Sequence, residues 1–262
     1  MSVRAAVVTL ARWAGTVFNL RGIWALGRIP KYVSDWMRFN RASRIPVRFR
    51  DSYPCLADAT AKTPFDAHYF FQGAWLARKL FQRHPPQHID IGSDVNVVGV
   101  MSAFVDTIFV DYRPLAVRLP RLENRQGDVL HLKFPSGSVD SLSCLHVIEH
   151  IGLGRYGDPI DAEGATKAAV ELSRVLAPGG SLYLSVPIGQ ERVCFNAHRV
   201  FSPDSVVRLF PDLQLMDSAM VDDAGAFHEH VRPEAMTARE YGCGMFHFVK
   251  PQGAGTTAVP HP

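Results

Sequence analysis

Residues 145–150 read LHVIEH and run straight into IGLGRYGDPID. His146, Glu149 and His150 stand at i, i+3 and i+4, a spacing that gathers all three on one face if the stretch is helical. Two imidazoles and a carboxylate on one turn can ligate a metal, move protons as an acid/base cluster, or tie down a loop where a strand hands over to a helix. The Gly-rich segment GLGRYGD that follows carries Arg155, Tyr156 and Asp158, groups suited to substrate contact. Further on, QERVCFNAH brings Arg192 and Asn196 within reach of the same pocket if the two loops share one edge of a sheet. A second polar cluster, FHEH at 227–230, falls in a connection and reads as a solvated loop.

These residues must be positioned by the elements around them. FDAHYFFQGAWLARKLFQRHPP reads as a helix stopped by Pro85 and Pro86. Short apolar strands are expected at 88–92, 107–112, 127–132, 139–146 and 181–189, with a buried helix at VNVVGVMSAF. DAEGATKAAVELSRVLAPGG is the clearest helix, with Asp161 as its candidate N-cap and PGG at its end; SPDSVVRLF follows, capped by Ser202 with Pro203 at its first position. LQLMDSAMV and GMFHFVK are two closing strands. Strand and helix alternate from 88 to 210, the pattern of a doubly wound α/β sheet whose last pair runs antiparallel. Ligands in such sheets sit at the carboxyl ends of the strands, so Asp90–Gly92, Asp111, Asp128 and the 144–150 stretch are the places to watch.

Composition narrows the class. A chain of 262 residues, 47% hydrophobic and 20% charged, buries a real core. Cys55, Cys144, Cys194 and Cys243 form no CxxC pair, which argues against a zinc ribbon or a disulfide framework. Residues 1–50 carry ten Lys/Arg against Asp35, a net +9, while the rest carries −6. In this leader Val3, Val7, Leu10, Trp13, Val17, Leu20 and Trp24 recur at three- and four-residue steps, as in an amphipathic interfacial helix, although docking on protein fits the same pattern. Its longest charge-free run, WAGTVFNL, is too short to span a bilayer. The expected organisation is a basic helical leader (1–50), a catalytic domain (51–250) and a tail (251–262), in the cytoplasm and peripheral at the inner face of a membrane. An anionic membrane surface is the expected partner of the leader. A nucleic-acid reader is not indicated, since basic residues are not interleaved with aromatics in a folded module.

Asp111 ends the second strand, 21 residues after Asp90, where a carboxylate can accept both hydroxyls of a ribose. A nicotinamide cofactor also needs a Gly-rich turn over its pyrophosphate, and here the loop is DIGSDVN, with Asp94 and Asn96. A carboxylate repels a pyrophosphate but tolerates the cationic methionine end of S-adenosylmethionine (SAM), so SAM is the favoured cofactor.

With DIG, VDYRP, GDVLHLKFPSGSVDSLSCLHVIEH and ELSRVLAPGGSLYLSVP in view, residues 65–250 resemble the class I SAM-dependent methyltransferases. The resemblance implies a Rossmann-like, doubly wound seven-stranded sheet with an antiparallel final strand. It also implies Asp90, Gly92 and Ser93 near the methionine end of SAM, Asp111 on the ribose, and Asp128 and Val129 beside the adenine. More narrowly, SLSCLHVIEHIGLGRYGDPID and PIGQERVCFNAHRVFSP resemble a methyltransferase-like family of unknown function met among bacterial surface-polysaccharide genes, which implies a small-molecule or glycan acceptor. The small-RNA 2′-O-methyltransferases of the superfamily bind a metal through an ExxEH turn and a distant histidine. The similar positions here are His146, Glu149, His150 and His198, a donor set suited to Mn, Fe or Zn. Metal binding, metal-free acid/base work and a structural role all remain open for this cluster. His198 is the leading candidate general base. The expected activity is O-methylation of a sugar or glycan-precursor hydroxyl by in-line transfer; the alternative is a non-catalytic, degenerate SAM fold serving as an adaptor at a membrane or in a complex.

Overall fold

The structure, a computed structural model, describes residues 26–45, 47–113, 115–236, 238 and 240–252. The expected amphipathic helix through Val3–Trp24 and nearly all of the tail lie outside the described residues. The chain forms two compact units, Met1–Phe65 and Asp66–Pro262. In the first, Pro30 stands in the opening turn of helix α1 (Ile29–Ala42), which leaves Val33, Met37 and Phe39 exposed. No helix among the described residues is long and apolar enough to cross a membrane.

The second unit opens at Asp66, whose carboxylate accepts the His68 and Tyr69 N–H groups at 3.0 and 3.2 Å and so starts α2 (Ala67–Arg83). His84 in the left-handed conformation and the Pro85–Pro86 pair end it. The chain then lays down β1 (Gln87–Ile91), α3 (Val95–Met101), β2 (Asp106–Asp111), β3 (Leu122–Gln126), β4 (Val139–Leu145), α4 (Gly164–Val175) and β5 (Leu176–Ile188). A short hairpin, β6 (Arg192–Cys194) and β7 (His198–Val200), precedes α5 (Pro203–Arg208), β8 (Gln214–Val221), the two-residue β9 (Phe227–His228) and β10 (Gly242–Val249). The sheet order is β3-β2-β1-β4-β5-β10-β8-β9. Strands β1 to β5 are parallel neighbours, and β10 runs antiparallel between β5 and β8. This is the expected doubly wound sheet, seven strands with β9 added at the edge. Apolar residues of α4 and α5 pack with Ile89, Ile91 and Ile108 on one face, and α2 and α3 pack with Phe109 and Tyr183 on the other.

Three expectations need correction. The third strand is not 127–132 but Leu122–Gln126, a charged edge strand in which Arg125 pairs with Glu123 at 2.7 Å. Its residues alternate charge rather than apolarity, as edge strands that resist aggregation do. Residues 127–132 instead turn, because Asp128 Oδ1 accepts the Leu130 N–H at 2.9 Å and draws the backbone away from the ladder. Asp161 does not cap α4. It accepts the Glu163 N–H at 3.0 Å, and Glu163 holds the cap position without a side-chain bond. The LHVIEH stretch is not an α-helix: His146 has φ of +54° and only Ile148–His150 form a 3₁₀ turn.

On the α2/α3 face a buried polar chain ties β1 to β4. His88 Nδ1 lies 2.8 Å from Ser141 Oγ and Nε2 lies 2.8 Å from Ser143 Oγ, while the Ser143 hydroxyl donates to Asp90 Oδ2. Ser143 has one proton, so it must accept from His88 Nε2–H, and Nδ1 must then accept from Ser141. Burial pushes His88 down to about 3, so the ring is neutral, as the chain requires. Asp90 is also fully buried, and burial carries its carboxyl up to about 6 against the opposing bonds from Ser143 and Ser93. An acid raised by folding holds its proton more tightly in the folded chain, so its contribution to stability is present below the unfolded value of about 4 and is lost as pH rises through about 6. Asp90→Asn removes this dependence. Urea unfolding of both forms is expected to show wild type losing on the order of 2 kcal/mol relative to the variant between pH 4 and 7; a difference that stays constant with pH refutes the assignment.

Candidate functional site

The carboxyl ends of β1, β2 and β4 meet around a cavity of about 650 Å³, a size suited to a cofactor-sized ligand. At its floor Gly92 turns out of β1 with φ of +64°. A Cβ there would stand 3.3 Å from Val147 Cγ2 and 3.6 Å from Asp111 Oδ2, filling the space a ligand needs to reach the backbone. Asp90 and Ser93 sit behind this turn. Asp90 Oδ1 accepts the Ser93 N–H at 3.0 Å, and Ser93 Oγ accepts the Leu145 N–H at 3.1 Å, so the β1 turn is pinned to the end of β4.

Asp111 closes β2 at the cavity wall. Its Oδ1 accepts the Arg113 N–H at 2.7 Å, and Oδ2 is the oxygen facing Gly92. Asp128 and Val129 line the next stretch of wall from the turn after β3. Asp94, in the position where a phosphate-binding loop would place a small residue, accepts Asn96 N–H at 2.7 Å and Val97 N–H at 3.4 Å as the N-cap of α3. Its carboxylate thus occupies the helix end that would otherwise attract a pyrophosphate.

Beyond β4 the left-handed turn at residue 146 splits the two histidines. His146 Nδ1 lies 2.8 Å from the fully buried Glu149 Oε1, and its Nε2 lies 3.4 Å from Cys243 Sγ. Burial alone would lower this imidazole, but Cys243 and Glu149 on its two sides carry it upward. His150 turns the other way. Its Nδ1 is 2.6 Å from the Ala197 carbonyl and 3.3 Å from Arg155 Nη1. These demand opposite protonation; the shorter contact to a pure acceptor prevails, so Nδ1 carries the proton, and Arg155 bonds Ala197 O at 3.1 Å. Burial, aided by Arg155, lowers the His150 pKa despite Glu149, leaving a neutral ring whose Nε2 is 3.8 Å from Glu149 Oε1.

The loop after His150 is set by backbone demands. A Cβ on Gly152, at φ of +80°, would lie 2.0 Å from Asp161 O, so only glycine allows the two strands of the loop to meet. Asp158 accepts the N–H groups of Gly152, Gly154 and Tyr156 at 2.8, 3.3 and 3.2 Å, a loop brace as well as a lining residue. Arg199, nearly buried, donates to Ile151 O at 2.7 Å and Ala162 O at 3.2 Å, clamping both ends of that loop.

Of the residues singled out from sequence, Gly92, Asp111, Asp128, Val129, His146, His150, Tyr156 and Asp158 line the cavity. Asp90, Ser93 and Glu149 lie behind it. His198 meets Tyr241 at a tilt of 48° with ring centres 5.1 Å apart, and Arg192 bonds the carbonyls of Gln190 and Glu240 at 2.9 and 2.6 Å. Asn196 is exposed on the β6–β7 hairpin. His146, Glu149, His150 and His198 do not gather as one ligand set, because the left-handed backbone at 146 and the Ala197 carbonyl draw the two turn histidines apart. Sequence reading missed Tyr112, Arg113, Ile151 and Lys167 in the wall. Arg113 was the findable one, two residues past the ribose carboxylate; it lies 4.6 Å over the Tyr156 ring, which Arg155 also faces at 5.1 Å.

A family model described as "Caenorhabditis protein of unknown function, DUF268" matches residues 129–228. None of the curated proteins matches the chain by sequence. Among solved structures, the N-methyltransferase NodS from Bradyrhizobium japonicum WM9, in complex with S-adenosyl-L-homocysteine, is similar over 84% of this chain and 98% of its own, at 14% identity and a TM-score of 0.50. The [4+2]-cyclase SpnF is similar over 68% of this chain and 82% of its own, at 13% identity and a TM-score of 0.50. At such identities the likeness speaks for architecture alone: the chain has the Rossmann-like fold of the class I SAM-dependent methyltransferases.

Proposed function

We propose that this protein is a SAM-dependent methyltransferase that methylates a hydroxyl group, of a sugar or glycan precursor, with a histidine at the cavity as base. The observation that carries the cofactor is the open floor at Gly92 facing Asp111 Oδ2 across the mouth of a 650 Å³ cavity. Of the residues that line the cavity, Asp111 would accept the two ribose hydroxyls, and Asp128, Val129 and Leu130 would form the wall for the adenine. The methionine end would be held at the Gly92 turn, which Ser93 and Asp90 fix in place. SAM, when bound, supplies a methyl group on a cationic sulfur that an acceptor oxygen can take by in-line displacement.

What the chain adds is alignment and proton management. His150 is better placed for the proton than His198, since it lines the cavity. Its tautomer is fixed by Ala197, so Nε2 holds the free lone pair. As the acceptor hydroxyl loses its proton late in the displacement, Nε2 takes it, and the buried Glu149 carboxylate stabilises the resulting imidazolium. The glycan class of acceptor rests on the family resemblance. The leader's +9 charge, with the exposed apolar residues of α1, supports a lipid-linked or membrane-proximal substrate.

Calorimetric titration of SAM into the full chain is expected to give one site, weakened at least about tenfold by Asp111→Ala, a loss of roughly 1.4 kcal/mol or more. No heat with folded wild type overturns the reading and favours the adaptor. His150→Gln is expected to bind SAM within about threefold of wild type yet lose on the order of 100-fold in transfer of radiolabelled methyl to glycan-precursor extracts; full transfer by this variant removes His150 as the base. Flotation with anionic vesicles is expected to carry the full chain and not a variant lacking residues 1–50, with the effect lost at high salt; equal flotation of both refutes the leader's role.

A further inference from the structure

We propose that His68, His146 and Cys243 form a zinc site beside the cavity, distinct in its ligands from the His146–Glu149–His150–His198 set. The proposal does not rest on the methyltransferase reading. His68 comes from the first turn of α2, His146 from the end of β4 and Cys243 from β10, and their ligand atoms all lie within 4.8 Å of one another. Nothing in the linear sequence joins them.

The separations suit a tetrahedral ion. Zinc–sulfur and zinc–nitrogen bonds of about 2.3 and 2.05 Å at a tetrahedral angle put the two ligand atoms about 3.6 Å apart. His146 Nε2 and Cys243 Sγ stand 3.4 Å apart. His68 is the half-buried member, its ligand nitrogen within 4.8 Å of the ligand atoms of the fully buried thiol and the buried His146. Its ring stacks on that of His146 at 5.7 Å and on Tyr241 at 5.3 Å, while Tyr69 stacks on His146 at 5.6 Å, so the planes are held in place.

The outer shell points the same way. His146 Nδ1 is bonded to Glu149 Oε1, which leaves Nε2 facing Cys243 as the nitrogen that would bind the ion on releasing its proton, the carboxylate–histidine–zinc arrangement of many metal sites. Glu149 is fully buried and its Oε2 has no hydrogen-bond partner among the described residues. A buried carboxylate with an orphan oxygen calls for positive charge nearby, and a zinc–thiolate unit supplies a net +1. One thiolate with two imidazoles selects a borderline-soft ion over Mg²⁺ or Ca²⁺. Three protein ligands leave the fourth position for water, and His146 is shared with the cavity wall.

The simpler account of the same atoms is a thiol–imidazole hydrogen bond with no ion, and the two differ in measurable ways. Full-length protein, stripped with chelator and titrated with Co²⁺, is expected to bind one equivalent and show a thiolate-to-cobalt charge-transfer absorption that Zn²⁺ abolishes by displacement. Cys243→Ser is expected to lose that absorption, His68→Ala to keep it with affinity at least about tenfold weaker, and Glu149→Gln to weaken binding about 10- to 100-fold. Cys194→Ser, on the hairpin, is the unaffected control. Circular dichroism and melting check each fold; should Cys243→Ser not fold, His68→Ala, at the start of a helix, carries the test. Folded wild type that binds no stoichiometric Co²⁺, an absorption that survives Cys243→Ser, or unchanged affinity in His68→Ala overturns the site.

Discussion

The chain of polar groups from Ser141 through His88 and Ser143 to Asp90 is the constraint on which the site depends. It lies in the layer between the sheet and α2/α3, where four such groups would be costly if any went unpaired. Because Ser143 spends its proton on Asp90, every other donor in the chain is fixed, and the arrangement closes only in one register of β1 against β4. A slip of one residue would carry His88 and Asp90 to the opposite face, among Ile108 and Leu172. Asp90 then passes the constraint outward. Its second oxygen holds Ser93, Ser93 holds Leu145, and the turn carrying Gly92 is fixed against the loop that begins at His146.

That loop explains what the LHVIEH spacing conceals. Read as a helix, His146, Glu149 and His150 share a face and one function. The left-handed residue at 146 instead places one imidazole toward β10 and leaves the other at the β6–β7 hairpin, with Glu149 between them as a common buried anion. One carboxylate thus supports two imidazoles in different surroundings. Separation of roles follows from backbone conformation, not from residue type.

The layers of this fold were legible because they depend on local pattern: apolar runs broken by Pro and Gly, and a cap such as Ser202 whose side chain accepts the Ser205 N–H. The gathering of Gly92, Asp111 and Asp128 was legible because strand ends in a doubly wound sheet converge. What escaped depends on competition or distance. The β3 edge strand carries no apolar alternation, the turn at 127–132 is decided by the Asp128 side chain, and the left-handed conformation at a histidine has no sequence signal. The Arg199 guanidinium closes a loop that lies 37 to 48 positions upstream, a contact that local pattern does not show. Cys243 read as one scattered thiol, since its neighbours arrive from α2 and β4.

The glycine-poor DIGSDVN loop argues less strongly for a degenerate site than its letters suggest. Glycine is indispensable only where a ligand must approach the backbone or where φ is positive, and here both demands fall on Gly92. Asp94 and Asn96 lie two and four residues further on, at the cap and in the first turn of α3. Asp94 is consumed as that helix's cap, where it accepts two backbone N–H groups, and it is not part of the cavity wall. The substitution removes an anion-binding helix end while leaving the floor of the cavity open. On the function proposed above, such a loop suits a cofactor whose charge near it is cationic, as that of SAM is, better than a dinucleotide with its pyrophosphate.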